Sequence, residues 1–595
     1  MKMDDFPKAH AVENKKKLRC GIMCNGDVLQ DWQYKAIMDL SHVGVSIELL
    51  IKDDEGALLT ARSRFFSKLK NMFSKYFLWK IYRRYITPRS LDPVDMSAFF
   101  LNIPSVHCDV EYRGKYSQYF KKNDIELIRS YNLDFIIKFA FGITRGEILS
   151  VARYGIWSFH HDDETKYRGG PPCFWEIYRD DDYTGSILQR ITDVLDGGIV
   201  LKKGIFSTIK YSYERNLDQA LYESANWPRQ VCQDIQNGVA HYLNDPPTNS
   251  GAPIYKNPYN FYMLLFCFKL LRNRVRYFWK TWFYVEIWNI ALISTPISKF
   301  LEDTQFAGKI KLLTNFKRDE FAADPFGLVT KNKRFILYEY LNYRGASPLK
   351  GRICELQAES TINNFPELEL PCHASYPYVF ETNGVIYCVP ETYELNQIRL
   401  YELDIEKNKW HWKSTLVDDF DGVDSTIFYF SDYWWLMCSS AKSGADKSLW
   451  IWYSKEGPVG PWQPHQNNPV KTDVRSSRPG GTPFIFEGKL YRPTQDCTGG
   501  SQKRVVINRV DKLSSVEFQE VPVRVLDPFG TPLFKDGIHT LSSFGDETLI
   551  DGKVYNFSLN KFVGNCKSRL NRSRRYSTVL RALAILKDKR SVDDV

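Results

Sequence analysis

A chain of 595 residues is longer than one hydrophobic core usually supports, so we expect two or more domains. Apolar residues make up 43% and aromatic residues 15% of the chain, which excludes a chain that is disordered throughout. The 12 cysteines are scattered without a Cys-x-x-Cys pair, which argues against zinc knuckles and for reduced thiols in the cytoplasm.

Basic residues are concentrated in a few segments, although the net charge is only +10. Residues 1–16 lack the apolar stretch of a secretory signal and are expected to form a flexible tail. Residues 56–91 form a basic insert with nine Lys or Arg and no acid, and residues 561–595 form a basic C-terminal tail. Such segments either attract phosphate-bearing substrates or anionic lipid, or they are solvated helix faces and frayed ends.

Residues 17–245 alternate between strand and helix patterns. An apolar strand after Lys17, a polar turn, a helical stretch and a second strand make a β-α-β opening. Residues 134–141 and 154–160 are further strand candidates. The pattern predicts an α/β domain with a Rossmann-type parallel sheet, in which chemistry gathers at the C-terminal ends of the strands. No Gly-x-Gly-x-x-Gly follows the first strand, so a dinucleotide cofactor is not indicated.

Residues 246–305 are predicted to be an aromatic-basic helical linker. Five bases interrupt its apolar residues, so a membrane-spanning helix is not indicated: Lys269, Arg272, Arg274, Arg276 and Lys280. We expect a helix packed between two domains. A membrane surface is the alternative partner, because aromatic residues interleaved with bases suit an interface.

A strand–turn–strand unit recurs in residues 306–560. Its copies are residues 323–340, 375–392, 423–440 and 481–496, with a looser fifth at 538–555. The Asn383-Gly384 pair suits a type I′ hairpin turn. The unit recurs every 48 to 58 residues, and a period near 50 made of short strands is typical of propeller blades. The sequence therefore predicts an all-β five-bladed propeller after the α/β domain.

The candidate chemistry of the first half lies in "SFHHDDETKYRGG" (residues 158–170) and "LDGG" (residues 195–198). Residues 17–215 resemble the formyltransferase family of methionyl-tRNA and glycinamide ribonucleotide formyltransferases, whose signature is Asn-x-His, then Tyr-Arg-Gly, and later Leu-Asp-x-Gly. The resemblance implies that 10-formyltetrahydrofolate donates the formyl group. It also implies that His160 meets the charge developing on the formyl oxygen and that Asp196 orients water or takes the ammonium proton. The positions that the resemblance assigns to substrate or cofactor binding are Phe141, Gly142, Tyr167, Arg168, Gly169, Gly170, Leu195 and Gly197.

The sequence departs from the family at Ser158, which stands where the family has asparagine. A serine hydroxyl donates one hydrogen bond and an asparagine amide donates two, so the domain is slow, altered in substrate or inactive. No metal is expected, because the adjacent His161, Asp162 and Asp163 in one loop seldom converge on one ion.

The repeats of the second half, such as "FAADPFGLV" and "SRPGGTPFIFEGKLYRPTQD", resemble the propeller domain of glucosamine inositolphosphorylceramide transferases and, more distantly, five-bladed glycoside hydrolases. The resemblance implies contact with carbohydrate. Residues at blade starts face the channel of a propeller, which makes the channel candidates Asp324, Glu391, Asp424, Arg478, Asp496 and His539. The carboxylates among them either serve a glycosidase or cap turns and hold blades together.

Together these features predict an N-formyltransferase that acts on the amine of an amino sugar, nucleotide-linked or glycan-linked, in surface polysaccharide synthesis. The expected location is the cytoplasm, including the inner face of the membrane. No nucleic acid partner is expected, because the propeller replaces the tRNA-binding domain of the methionyl-tRNA enzymes. The alternative is a carbohydrate-binding or carbohydrate-active propeller protein with an inactive formyltransferase-like domain.

Overall fold

The computed structural model describes residues 17–53, 74–114, 117–194, 197–302, 310–330, 334–344, 350–356, 368, 370–529 and 531–566. The predicted N-terminal tail, residues 56–73 of the basic insert and most of the C-terminal tail lie outside these residues, as do Leu195 and Asp196.

The first half is built on a seven-stranded sheet, which confirms the predicted Rossmann-type fold. Its strands, in sheet order, are Ile199–Ser207, Tyr183–Arg190, Ile156–His160, Phe135–Lys138, Leu18–Cys24, Val45–Asp53 and Ser105–Cys108. The five strands from Ile156–His160 to Ser105–Cys108 are parallel, and the first two form an antiparallel edge.

Both faces of this sheet are buried. Cys20, Ile22 and Ile137 pack into one core, while Met23 and Ile136 pack into another on the opposite face. Strands that are covered on both faces consist of continuous apolar runs, and the sequence shows such runs at these strands. Among the described residues, the helices of this half are Asp31–Ser41, Phe77–Tyr85, Ser97–Phe100, Lys122–Ser130, Trp175–Arg179, Tyr213–Ser224 and Trp227–Gln236. The 3₁₀ turns are Arg89–Leu91, Glu147–Ser150 and His241–Asn244.

Three small sheets border the large one. They pair Val28–Gln30 with Pro93–Asp95, Arg168–Gly169 with Ile254–Tyr255, and Ser117–Phe120 with both Val110–Arg113 and Ile143–Arg145. They hold the loops that follow the strands of the main sheet.

The predicted linker differs from the structure in its second part. A helix occupies Asn260–Phe283, but Tyr284–Ile293 is a strand that pairs with Glu547–Phe557. Aromatic and β-branched residues fit strand geometry as well as helix geometry, so the pairing with a distant strand determines that this segment is a strand. Among the described residues, no helix is long and apolar enough to cross a membrane.

The second half consists of five antiparallel sheets. The first sheet contains Glu320–Val329, Arg334–Asn342 and Arg352–Leu356, and the second contains Ser375–Thr382, Val385–Glu391, Gln397–Asp404 and Lys409–Asp418. The third sheet contains Gly422–Phe430, Tyr433–Ser440, Ser448–Ser454, Gln463–Pro464 and Lys471–Thr472. The fourth sheet contains Phe484–Phe486, Lys489–Asp496, Arg504–Leu513 and Phe518–Leu526. The fifth sheet joins Gly537–Phe544 and Glu547–Phe557 to Tyr284–Ile293 and Ile310–Leu312. Among the described residues, this half also has two 3₁₀ turns, Ile297–Leu301 and Tyr393–Leu395, and residues 559–566 are helical.

Each predicted strand–turn–strand unit forms a hairpin in one of these sheets. Asn383 and Gly384 both have positive φ, 51° and 77°, as a type I′ turn requires. Four of the first strands carry the same bulge, where the register shifts after Ala323, Ser375, Val423 and Ile538. The bulged residues Asp324, Tyr376 and Asp424 have φ of 52°, 43° and 54°. The repeat therefore extends to backbone geometry.

The two halves share an interface. The amide of Val474 donates to the carbonyl of Ile205 over 2.9 Å, and Ile205, Val474 and Cys497 form a small apolar core. Lys447 pairs with Glu223 at 2.8 Å across the same boundary.

Candidate active site

A cavity of about 770 Å³ opens at the C-terminal edge of the large sheet. It is lined by the ends of Phe135–Lys138 and Ile156–His160 and by the loops that follow. Of the predicted site residues, Phe141, Gly142, Ser158, His160, Gly169 and Gly197 line it. Its size is within the usual range for small-molecule sites, and its place at the strand ends is where this fold class binds ligands.

His160 is the last residue of its strand and lines the cavity. Its Nε2 lies 3.2 Å from the carbonyl oxygen of Tyr167. A carbonyl only accepts hydrogen bonds, so this contact requires a hydrogen on Nε2. In the neutral imidazole, Nδ1 is then the nitrogen that can accept a proton.

Lys138 and Ser158 lie beside each other on adjacent strands, close to His160. They are register partners on adjacent parallel strands, and Ser158 and His160 are two residues apart on one strand. Side chains with these relations share one face of a sheet, so the three residues lie on the same face. All three line the cavity.

The Lys138 ammonium makes no hydrogen bond or ion pair with any residue in the part of the chain that the structure describes. It is half-buried, and burial lowers the pKa of Lys138 to about 8. An ammonium that is partly desolvated and has no carboxylate partner can donate to an oxygen of a bound ligand.

The loop that follows Lys138 lines the cavity and has a strained backbone at Phe141. Phe141 has a φ of 66°, which is uncommon for a bulky residue. The next amide, that of Gly142, donates to the side-chain oxygen of Gln118, whose amide group donates to the Tyr112 hydroxyl over 2.9 Å. Strain that the surroundings hold in place is typical of functional sites.

The Tyr-Arg-Gly turn supports the cavity wall. The Tyr167 hydroxyl donates to Asp181 over 2.8 Å, and Arg168 donates to the carbonyl of Ser250 over 3.0 Å. Tyr167, Arg168 and Gly170 are not among the residues that line the cavity, whereas Gly169 is. Gly169 has a φ of 90°, and a Cβ there would lie 2.2 Å from the carbonyl oxygen of Tyr255. The turn therefore needs glycine at this position.

His161 points away from the site into an apolar core. Its ring stacks on Phe159 at 5.8 Å and meets Trp32 edge-on at 5.2 Å. Burial lowers the pKa of His161 to about 3, so it is neutral at physiological pH. Its role is that of a packed aromatic ring.

The acids that follow His161 are committed to other contacts. Asp162 accepts from the amide of Cys173 over 2.7 Å, and burial raises its pKa to about 6. Burial and the nearby charge of Asp162 raise the pKa of Glu176 well above its ordinary value. Lys203 contacts both Asp163 and Glu164 at 2.9 Å. Burial opposes the charge of Asp163, but Lys203 and Thr165 outweigh it and lower its pKa.

The channel candidates of the second half form a buried charged cluster. His539 lies between two carboxylates, with Nε2 at 2.8 Å from Asp324 and Nδ1 at 2.9 Å from Asp551. Burial opposes its charge, but Asp551 and Asp324 outweigh burial and raise the pKa of His539 to about 10. A ring with this pKa carries one positive charge at neutral pH and lies between two buried carboxyl groups.

Asp424 lies at the other end of this cluster. It contacts Arg478 at 2.5 Å and accepts from the Gln495 side chain over 2.6 Å, while its own amide donates to Glu391 over 3.0 Å. Burial and the charge of Asp424 raise the pKa of Glu391 well above its ordinary value. Asp496 makes its contacts elsewhere, with Arg504 at 2.5 Å.

Three residues of these sites are not among the candidates drawn from the sequence: Lys138, Glu339 and Asp551. Lys138 had a signal, since a base ending the apolar strand "FIIK" is unusual. Burial and the charge of Asp324 raise the pKa of Glu339 well above its ordinary value. Neither Glu339 nor Asp551 stands out in the sequence, because each lies on the second strand of its hairpin and joins the cluster only in the fold.

Residues 312–528 match the family described as "Glucosamine inositolphosphorylceramide transferase 1, N-terminal". Glucosamine inositolphosphorylceramide transferase 1 of Oryza sativa subsp. japonica is 34% identical over 214 residues, which are 34% of this chain and 28% of the rice protein. The chain thus matches little more than a quarter of the length of that relative.

A methionyl-tRNA formyltransferase of Agathobacter rectalis is 32% identical over 132 residues, which are 21% of this chain and 41% of that enzyme. Among solved structures, an N-formyltransferase from Helicobacter canadensis, in complex with folinic acid and dTDP-3-aminofucose, matches with 12% identity and a TM-score of 0.27, over 43% of this chain and 81% of that one. The chain therefore combines a formyltransferase-like domain with a region similar to the N-terminal part of glucosamine inositolphosphorylceramide transferases.

Proposed function

We propose that the first half of the chain is an N-formyltransferase that moves a formyl group from 10-formyltetrahydrofolate to the amine of an amino sugar, in surface polysaccharide synthesis. The observation that carries the proposal is the cavity at the sheet edge, in which His160, Ser158 and Lys138 share one face. The sequence similarity to methionyl-tRNA formyltransferases supports the reaction type. The sugar is inferred from the second half, whose relatives are glucosamine-transferring enzymes by name.

The residues present fit a folate donor. The cavity has the volume of a small-molecule site, and it offers donors on one side and close backbone approach at Gly142, Gly169 and Gly197. When bound, the donor supplies an electrophilic formyl carbon. The chain has to hold the incoming amine, stabilise negative charge on the formyl oxygen and remove a proton from the amine.

Lys138 takes over the donation that Ser158 cannot supply in full. The serine hydroxyl offers one hydrogen, whereas the neighbouring ammonium offers up to three and carries a charge. The ammonium has no competing acid among the described residues, so it is available to an oxyanion. His160 acts beside it, with Nε2 held by Tyr167 and Nδ1 as the basic nitrogen. The Asp196 role stays a proposal from the resemblance.

We further propose that the five sheets of the second half form a five-bladed propeller that binds carbohydrate. The first strands support this arrangement, since Glu320–Val329 contacts both Ser375–Thr382 and Gly537–Phe544, while Ser375–Thr382 contacts Gly422–Phe430. The amide of Gly481, just before the fourth sheet, donates to the Tyr376 hydroxyl of the second sheet over 2.9 Å. The strand Tyr284–Ile293 completes the last sheet from the other end of the region, as closure of a ring requires.

A second candidate function is a carbohydrate-binding or carbohydrate-active protein whose first half binds no formyl donor. Two observations favour it: Ser158 replaces the family asparagine, and the more extended sequence match lies in the second half.

Binding and turnover distinguish the two functions. Thermal stabilisation of the full chain by 5-formyltetrahydrofolate, an inert analogue of the donor, is expected for the transferase. Formylation of nucleotide-linked amino sugars is then followed in wild type, Lys138→Met and the control Lys122→Met, whose side chain is 81% exposed. Lys138→Met should lower kcat about 10²- to 10³-fold, which is the usual cost of one oxyanion donor.

Two further readouts separate a catalytic Lys138 from a structural one. Because the pKa of Lys138 is about 8, activity that needs its ammonium should fall above that pH in wild type. Adding Ser158→Asn to Lys138→Met should recover part of the lost rate, since the asparagine amide restores donors. Failure of the wild type both to bind the analogue and to formylate any amino sugar would refute the transferase.

A further inference from the structure

The helix Asn260–Phe283 exposes an apolar stripe along its whole length. Met263, Phe266 and Leu270 are buried against the protein body. On the opposite face lie seven large apolar side chains, each between 37% and 67% exposed: Phe261, Leu264, Leu265, Phe268, Leu271, Val275 and Trp279. At 100° per residue these seven fall within about 60° on either side of Phe268. A contiguous patch of this kind on a folded protein marks an interaction surface.

Basic side chains border the stripe, except that Arg272 falls within its arc, about 40° from Phe268. The helix carries Lys269, Arg272, Arg274, Arg276 and Lys280 and no Asp or Glu. Lys269 and Arg272 form ion pairs with Asp180 on the protein body, and Arg274 donates a hydrogen bond to the carbonyl of Tyr211 over 3.0 Å. Arg276 and Lys280 are exposed, as are Arg83 and Arg84 on the neighbouring helix Phe77–Tyr85.

Both ends of the helix are fixed, so the stripe is a rigid surface. At the start, the amide of Asn260 donates to Lys75 and its side-chain oxygen accepts from the amide of Leu78, over 2.8 and 3.0 Å. At the end, Phe283 stacks on Phe562 at 4.9 Å and on Phe557 at 5.8 Å. The helix needs no folding step before it binds a partner.

We infer that this face docks the protein on an anionic lipid bilayer, with the helix lying in the plane of the headgroups. The charge of the helix selects this occupant. A second copy would bring the exposed bases Arg83, Arg84, Arg276 and Lys280 against their own equivalents. Anionic headgroups complement the flanking bases, and the acyl region accepts the apolar stripe.

Vesicle flotation of the full chain tests the inference. Wild type should float with phosphatidylcholine vesicles that contain phosphatidylserine, and less with pure phosphatidylcholine or at high salt. Phe268→Glu should lower the partition coefficient about 10- to 100-fold, because it replaces a large apolar contact by a charge. Trp412→Glu is the matched control, since Trp412 is 58% exposed on a strand of the second half.

Depth quenching gives a second measurement. Brominated lipid should quench Trp279 on the stripe, so that quenching is weaker in the Trp279→Phe variant and unchanged in the Trp412→Phe variant. Three outcomes would overturn the inference: wild type stays with the aqueous phase, Phe268→Glu floats like wild type, or wild type forms a dimer without lipid that Phe268→Glu dissociates. These outcomes are independent of formyl transfer.

Discussion

His539 gives the sharpest test of the charged cluster in the second half. Its pKa is raised from 6.5 to about 10, and at about 1.4 kcal/mol per pH unit this difference corresponds to about 5 kcal/mol of stability. A group with a raised folded-state pKa contributes fully below its unfolded pKa and loses its contribution as the pH rises. The contribution is therefore complete below pH 6.5 and is lost by about pH 10.

The perturbation is His539→Gln, which keeps a hydrogen-bonding side chain but removes the charge between Asp324 and Asp551. At pH 7 we expect the free energy of unfolding to fall by about 3–5 kcal/mol, the usual cost of leaving buried charge unpaired. Hydrogen exchange of the amides in Tyr284–Ile293 and Glu547–Phe557 measures it, because these strands form the sheet that carries His539. Between pH 6.5 and 9.5 the wild-type opening free energy should fall by about 4 kcal/mol, while that of His539→Gln stays level.

His411→Gln is the control, since its ring is 3.9 Å from Glu402 and its side chain is 48% exposed. Its effect should stay within about 0.5 kcal/mol. A loss below about 1 kcal/mol in His539→Gln, or wild-type protection that does not change with pH, would refute the reasoning that His539 is charged in the fold.

Three further predictions concern the first half. His160→Ala should lower kcat about 10²-fold or more while stabilisation by 5-formyltetrahydrofolate remains, which steady-state kinetics and thermal shift together measure. Gly169→Ala should destabilise the protein by about 1–3 kcal/mol in urea unfolding, because its Cβ would clash with the Tyr255 carbonyl. Gly238→Ala, with equally positive φ but no neighbour within 4 Å, is its control. Glu176→Gln should change stability by less than about 1 kcal/mol at pH 7, because burial and the nearby Asp162 raise the pKa of the Glu176 carboxyl and favour the uncharged form that glutamine mimics; a large loss would count against an uncharged Glu176.

The elements that the sequence predicts well are those with local signals. Alternating apolar runs and polar turns place the hairpins, and Asn383-Gly384 specifies its turn through residues that tolerate positive φ. The position of His160 at a strand end follows from the apolar run before it. Such features depend on a few neighbouring residues, so they can be read without the fold.

Features that depend on pairing between distant segments escape the sequence. The place of Lys138 beside Ser158 depends on the register of two strands, which neither segment encodes alone. The strand Tyr284–Ile293 continues an aromatic helix without a Gly or Pro between them, and its partner Glu547–Phe557 lies at the far end of the region. His161 is adjacent to His160 and chemically identical, yet strand alternation sends it into the apolar core.

The contacts of the buried carboxylates favour a structural role for them in the second half. A glycosidase needs two carboxyl groups that reach a sugar from opposite sides. Here Asp551 accepts from the amide of Asp324 over 2.8 Å, and Glu391 accepts from the amide of Asp424 over 3.0 Å. Each hydrogen bond connects one sheet to the bulged residue of the following sheet. Asp324, Glu391 and Asp424 are all buried. Carboxylates used in this way hold the sheets together. The cavity of the first half is lined by Lys138, Ser158 and His160 and also by Asp53, and the Lys138 ammonium makes no ion pair with a described residue.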